Sequence, residues 1–279
     1  MNRSAHPGSA NCPDCTDFAQ YCDNVIVCRN CGLGRTTTAL EPPDEQDYMS
    51  GTDSEIESRR KYFIRIRDGY LPGLRAGRSL DIGCGRGQFV EVLLEAGWDA
   101  YGLDAYRGLN VSDRILKGTV DSLDTDESYD LISMVHSFEH MARPVGVLAK
   151  VAQMLKGDGT LLVVVPNFGG VWSTSCGSNW DTLDTGRHAY HYTVKALDNL
   201  LLRAGFNLRG TYTYSGYAPS PWQARLGARR FYERGWGSLQ PFRSLIFRAN
   251  AMVRPVVNAY LDLRKRGAEI VALASRRAS

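Results

Sequence analysis

The stretch Ser79-Leu80-Asp81-Ile82-Gly83-Cys84-Gly85-Arg86-Gly87-Gln88-Phe89-Val90 constrains this chain more than any other. A short apolar run passes into three glycines at alternate positions and then into a second apolar segment, the pattern of a strand, a tight loop and a helix. Glycines at 83, 85 and 87 let the backbone turn sharply out of the strand and leave no side chain between the loop and a ligand. A dinucleotide fingerprint, G-x-G-x-x-G, is excluded because position 88 is Gln, and a phosphate P-loop is excluded because no Gly-Lys-Ser/Thr follows. Trp98 to Leu103 reads as the next strand, ending in Asp104. A carboxylate at the tip of a second strand can accept both hydroxyls of a ribose.

Around this stretch the chain is of ordinary globular character. Hydrophobic residues make up 43% and charged residues 23% of 279 positions, which excludes wholesale disorder. The net charge of +3 is too small for a general polyanion binder. Ser54 to Tyr70 carries Ile56, Tyr62, Phe63, Ile66 and Tyr70 on helical spacing and is closed by Pro72-Gly73. No apolar run reaches the roughly 18 residues of a membrane span, and Met1 to Cys12 lacks a signal-peptide core. A cytoplasmic protein is expected.

Downstream come Gly118-Thr119-Val120-Asp121-Ser122-Leu123, the apolar run Tyr129 to Val135 with His136 after it, Ser137-Phe138-Glu139-His140-Met141, a helical pattern over Val145 to Leu155, the turn Lys156 to Gly159 and an apolar run Thr160 to Val165. With D-x-G-x-G-x-G after one strand and an acid after the next, this series resembles the class I S-adenosylmethionine (SAM) dependent methyltransferases, over about Ser54 to Tyr214. The resemblance implies a doubly wound, seven-stranded Rossmann-like α/β sheet whose last strand is antiparallel, here Gly267 to Ala274 after a sixth strand Phe206 to Tyr214. It implies that Gly83, Gly85 and Gly87, with Cys84 in the same loop, admit the methionine and ribose portions of SAM, and that Asp81 holds the ligand ammonium through water. Asp104 would take the ribose hydroxyls, and Asp121 the adenine amine with Ser122 and Leu123 beside the ring. His136 falls where the methionine portion should lie, or is a hydrogen-bonded core histidine.

Ligands in open α/β sheets bind beyond the carboxyl ends of the strands, so the loop after the fifth strand should face the acceptor. It holds Trp172, Trp180-Asp181 and Asp184-Thr185-Gly186-Arg187-His188-Ala189-Tyr190-His191-Tyr192-Thr193, then a helix over Val194 to Ala204. This run resembles a subgroup of tailoring methyltransferases of bacterial glycans and small metabolites, in which the first His and nearby acids face the acceptor. A hydroxyl acceptor must lose a proton, and a His with an unperturbed pKa of about 6.5 suits that task. His188 is therefore the expected general base, with His191, Asp181 or Asp184 orienting it. The competing reading has His188 and His191 capping the next helix, although Thr193 already serves as an N-cap. Trp172 and Trp180 either stack on an acceptor or fill the core.

Cys12-Pro-Asp-Cys15 and Cys28-Arg-Asn-Cys31 form two C-x-x-C knuckles, the spacing of two turns closing on one tetrahedral zinc ion. The β-prone residues between them suit a zinc ribbon over 1–36, with Cys22 a spectator, a polar linker over 37–53 and the catalytic domain over 54–279. Cys84 and Cys176 should fill small packing positions.

Basic charge concentrates in one place: Pro219 to Arg266 carries a net +8, leaving −5 for the remainder. This insertion, about 216–266, interleaves its cations with aromatic and aliphatic residues. Amphipathic helices broken at Pro241 and Pro255 are expected, serving as a lid, a homodimer contact or a patch at the inner face of the membrane. Such a face suits a phosphate-bearing acceptor, a nucleotide-linked or lipid-linked sugar ahead of a nucleic acid. The expected activity is SAM-dependent O-methylation of a sugar or other small biosynthetic intermediate. The rivals are a ribosomal RNA base methyltransferase, whose zinc module ends in C-x-x-x-H rather than Cys28-x-x-Cys31, and a SAM-binding or zinc-ribbon scaffold without catalysis.

Overall fold

A computed structural model describes residues 17–41, 52–105, 113–124, 128–215 and 255–277. In chain order these form β1 (Phe18–Cys22), β2 (Val25–Cys28), β3 (Gly34–Thr36), α1 (Asp53–Tyr70), β4 (Arg78–Ile82), α2 (Gln88–Glu95), β5 (Asp99–Asp104), β6 (Ile115–Lys117) and β7 (Tyr129–Val135). There follow α3 (Pro144–Met154), β8 (Leu155–Pro166), α4 (Val171–Cys176), β9 (Tyr190–His191), α5 (Val194–Arg203), β10 (Phe206–Tyr214), helix α6 over 255–263 and β11 (Glu269–Arg276).

Seven strands make the main sheet, in the order β10-β11-β8-β7-β4-β5-β6. The pairs β4–β5, β4–β7, β5–β6 and β7–β8 are parallel, and β11 lies antiparallel between β8 and β10. The central strands are continuous apolar runs because both faces are covered. Their side chains divide with a period of two. Ile132, Met134, Leu161, Val163, Val165, Ile270 and Ala272 face a layer with Leu148 and Val151 of α3 and Leu197 and Leu201 of α5. Leu131, Leu162, Val164 and Val271 face Ile66 of α1 and Phe89 and Leu93 of α2. The α1 helix starts at a capping box, with Thr52 and Glu55 each accepting from the other's backbone, and the Phe63 ring stacks on Phe89 at 5.4 Å.

Several boundaries differ from those the sequence suggests. The expected turn Lys156 to Gly159 is the start of β8, which pairs through Leu155 with Tyr129 before a register shift. The third strand is Ile115–Lys117, and Gly118 to Leu123 follows it as a loop with one 3-10 turn. Residues 255–263 are helical, and the residues before Pro255, where a break was expected, lie outside the described residues. Pro241 and the rest of 216–254 lie outside the described residues.

The N-terminal strands do not stand apart from this fold. They form a second sheet, β1-β2-β3-β9, whose last member belongs to the loop after β8. The expected linker begins against that loop, with Glu41 N donating to Gly186 O at 2.7 Å. Residues 42–51 and the first knuckle, Cys12 and Cys15, lie outside the described residues.

Candidate active site

The glycine loop leaves β4 with positive φ at Gly83, Gly85 and Gly87 (74°, 53° and 78°). At Gly83 a side chain is doubly barred, because a Cβ there would also lie 2.3 Å from Ser137 Cβ. Ser137 Oγ donates to Ile82 O at 2.6 Å, holding the end of β4 to the segment after β7. Asp104, at the tip of β5, accepts from Gly85 N through Oδ2 at 2.8 Å, so this carboxylate also ties down the loop. Together they open a cleft of about 360 Å³ lined by Leu103, Val120, Met141 and Val147, with Asp104 and Asp121 among its polar groups. Asp121 pairs with Arg143 at 2.7 Å on the exposed rim. Ser122 Oγ donates to Thr119 O at 2.7 Å, and Leu123 is half-buried against the core. Apolar walls, an acid at the ribose position and a glycine cradle fit SAM.

Asp81 lies buried beneath the loop, where Ser133 Oγ donates to its Oδ1 at 2.7 Å. Burial pushes its pKa up to about 7, and the nearby Asp104 charge adds to the rise. A carboxyl raised in the folded state stabilises the ligand-free protein at acidic pH, a contribution lost as pH rises through about 7. An ammonium nearby favours the ionised form. Binding of S-adenosylhomocysteine (SAH) near neutral pH is therefore expected to be accompanied by proton release from this group. Calorimetry in buffers of different ionisation enthalpy measures this, and Asp81→Asn should abolish the release.

Beyond the carboxyl ends of β7 and β8 the structure gathers four of the chain's five histidines around one carboxylate. Glu139 is buried in the 3-10 turn Phe138–His140. Its Oε1 lies 3.7 Å from His136 Nδ1 and 4.0 Å from His188 Nε2. Its Oε2 is buried with no hydrogen-bond partner among the described residues. The His140 and His188 rings meet edge to face at 4.7 Å, and His191 lies 6.2 Å from His188. Ala189 N donates to Glu139 O at 2.9 Å, fixing the loop to this turn.

The electrostatics separate these imidazoles. His136, with a left-handed φ of 53°, sits between Glu139 and Glu269, the latter 3.2 Å from its Nε2. Burial opposes its charge, but the two carboxylates outweigh that and hold its pKa up at about 10. Tyr62 donates to Glu269 Oε2 at 2.8 Å and lies 2.9 Å from His136 Nε2. Burial lowers the pKa of His188 below the usual value despite Glu139, so it is neutral at pH 7 and able to take a proton. Burial, reinforced by His188, takes His191 down to about 3. Glu139, although buried, is held ionised by His136.

The structure decides between alternatives that the sequence leaves open. The carboxylate within 4.0 Å of the His188 ring is Glu139; Asp184 pairs with Arg187 at 2.6 Å and bears on His188 through its charge and its backbone O, which accepts from His188 N at 2.8 Å, and Asp181 accepts from Thr182. Trp180 is buried with Val25, Phe168 and Leu183, so it packs the core and offers no face to an acceptor; Trp172 packs at the edge of the same cluster. Cys22 is half-buried there, Cys176 is buried, and Cys84 fills the space beside Gly102, its thiol pKa raised by burial. The histidines do not cap α5, which Thr193 caps by accepting from Ala196 N. Sequence reasoning did not single out Tyr62, Glu269 or Thr36. Of these only Glu269 carries a signal, as a lone acid opening an apolar strand.

Two groups bear on metals. Glu139, His140 and His188 each bring one ligand-type atom within 4.8 Å of the others. Cys28 and Cys31 are both buried at the end of the β2 hairpin, where Gly32 N donates to Cys28 O and Cys28 N to Leu33 O, both at 2.9 Å. Among the described residues no helix is long and apolar enough to cross a membrane.

Comparison with known proteins agrees with this geometry. The sequence model of a family described as "Methyltransferase domain" matches residues 56–210, more than half of the chain. A ubiquinone biosynthesis O-methyltransferase of Methylococcus capsulatus is 29% identical over 100 residues, covering 31% of this chain and 42% of that protein, so the match spans less than half of that relative. Two solved structures share the fold. One is the Burkholderia thailandensis 1,6-didemethyltoxoflavin-N1-methyltransferase with SAH bound, with a TM-score of 0.51 and 14% identity over 94% of this chain and 100% of that one. The other is a SAM-dependent methyltransferase of Archaeoglobus fulgidus, with a TM-score of 0.52 and 17% identity over 83% and 97%.

Proposed function

Because the chain belongs to the methyltransferase-domain family, we propose that this SAM-dependent methyltransferase methylates a hydroxyl on a sugar or another small biosynthetic intermediate, nucleotide-linked, lipid-linked or free. The observation that carries this reading is the His188–Glu139 pair on the acceptor side: a neutral imidazole 4.0 Å from a buried carboxylate. SAM supplies an electrophilic methyl carbon when bound. Asp81, Gly83, Gly85, Gly87, Asp104 and Asp121 would hold and orient it. His188 takes the acceptor proton, and the Glu139 charge stabilises the imidazolium that results. The weakly matching ubiquinone O-methyltransferase supports oxygen as the acceptor atom only loosely.

The test is incubation with methyl-labelled SAM and a panel of phenols, sugar nucleotides and amines. O-methylated products whose formation depends on His188 are expected. Exclusive N-methylation at rates indifferent to His188 would overturn the reading.

A second reading of the same cluster is a divalent cation on Glu139, His140 and His188, polarising the acceptor hydroxyl in place of a free base. The unpartnered Glu139 Oε2 favours it. So does His140 Nδ1, 3.1 Å from Arg187 O: a proton there leaves Nε2 as the ligand nitrogen. Loss of turnover on chelation, restored by a divalent transition-metal ion such as zinc, iron(II) or manganese, would select this reading.

We further propose that Cys12, Cys15, Cys28 and Cys31 hold one structural zinc ion. Four thiolates close a tetrahedral site and leave no position for a reactive water. Elemental analysis of untagged protein is expected to find one zinc per chain, lost in Cys28→Ser. A folded, zinc-free preparation would refute the assignment.

A further inference from the structure

We propose that the cysteine-bearing hairpin is a wall of the acceptor site, and that Thr36 is the positioning residue that fixes the His191 tautomer and the backbone at His188. The proposal rests on the acceptor-side role given above to the His188 loop.

Hairpin and loop are joined at consecutive points. Strand β3 pairs antiparallel with β9, setting Gly34 opposite His191 and Arg35 opposite Tyr190. Thr36 N donates to Ala189 O at 3.1 Å. The β3 backbone lies so close to His191 that a Cβ at Gly34 would sit 2.9 Å from His191 Cβ and 3.2 Å from Phe168 Cε1. On the other side, Thr193 Oγ1 donates to Cys31 O at 2.8 Å while capping α5, and Lys195 Nζ donates to Asn30 O at 2.7 Å. The segment from Ala189 to Lys195 is thus tied to the hairpin at both β3 and the knuckle.

Thr36 reads out as a specific device within this seam. Its hydroxyl has one hydrogen, and that hydrogen goes to His188 O at 2.6 Å, since a carbonyl can only accept. Toward His191 Nε2, 3.1 Å away, the same oxygen can therefore only accept. This places the His191 proton on Nε2 and leaves Nδ1 with its lone pair. A single buried hydroxyl thereby joins the backbone of one histidine to the tautomer of the other, as outer-shell partners orient imidazoles elsewhere. Residues 36 and 191 are 155 apart in sequence, so only the docked hairpin supplies this contact.

The experiment is nitrogen-15 and carbon-13 NMR of the histidine rings in the full chain at neutral pH, with His191 assigned by its loss in His191→Asn. The wild type is expected to show His191 protonated at Nε2, and Thr36→Ser to preserve that pattern. Thr36→Val, which keeps the shape but leaves Nε2–H without a buried acceptor, is expected to shift the proton to Nδ1 or mix the two forms. Cys28→Ser, which disturbs the knuckle, is expected to move the His191 signals as well. SAH affinity by calorimetry should stay within about twofold in Thr36→Val, because Thr36 lies outside the cofactor cleft. A wild-type His191 protonated at Nδ1, or His191 signals unchanged in both Thr36→Val and Cys28→Ser, would overturn the proposal. Failure of the wild type to bind SAH would count against the methyltransferase reading instead.

Discussion

His188→Ala is expected to cut turnover of a hydroxyl acceptor by about 10² to 10⁴ while leaving SAH affinity unchanged, the span typical of a lost general base. The residue is buried, and its lowered pKa keeps it neutral at pH 7, the form that accepts a proton. Turnover should fall on the acid side as His188 is protonated, below the ordinary histidine value of 6.5. Glu139 raises the affinity of His188 for a proton, so Glu139→Gln should move this acidic limb to still lower pH. Turnover against pH for both variants measures the effect. A His188→Ala enzyme with normal rate and an unmoved acidic limb would place the base elsewhere.

Asp104→Ala is expected to weaken SAH binding on the order of a hundredfold. Hydrogen bonds to a charged group are each worth about 1.5 to 3 kcal/mol, and two ribose hydroxyls would lose their acceptor together. The loss should exceed that of a simple contact residue, because Gly85 N also loses the Oδ2 that holds the glycine loop in place. Asp104→Asn, which keeps an oxygen acceptor, should recover part of the affinity. Calorimetry showing unchanged binding in Asp104→Ala would remove this residue from the site.

Some parts of the molecule are legible in the sequence. Helix α1 and strands β4, β5, β7 and β10 fall where periodicity and punctuation put them, because covering one face of α1 and of the edge strand β10, and both faces of the central strands, imposes a pattern. Strand β9 does not, since two residues are too few to carry a period, and its pairing with β3 is made by a segment more than 150 positions away. The bulged start of β8 was hidden by Gly157 and Gly159, which read as a turn but lie in an irregular strand paired through Leu155.

What the sequence by itself determined is the glycine loop and the acids at the ends of β4 and β5. Asp81, the three glycines and Asp104 are placed by backbone conformation and by position at strand ends, properties written in adjacent residues. The histidine cluster was decided by tertiary structure. His188 was visible as a candidate, but its carboxylate is Glu139 and not Asp184, because β7 and the loop after β8 end side by side. The division of labour among His136, His188 and His191 follows from burial and from the nearest carboxylate. Both are set by segments that meet only when the sheet closes and the N-terminal hairpin docks upon it.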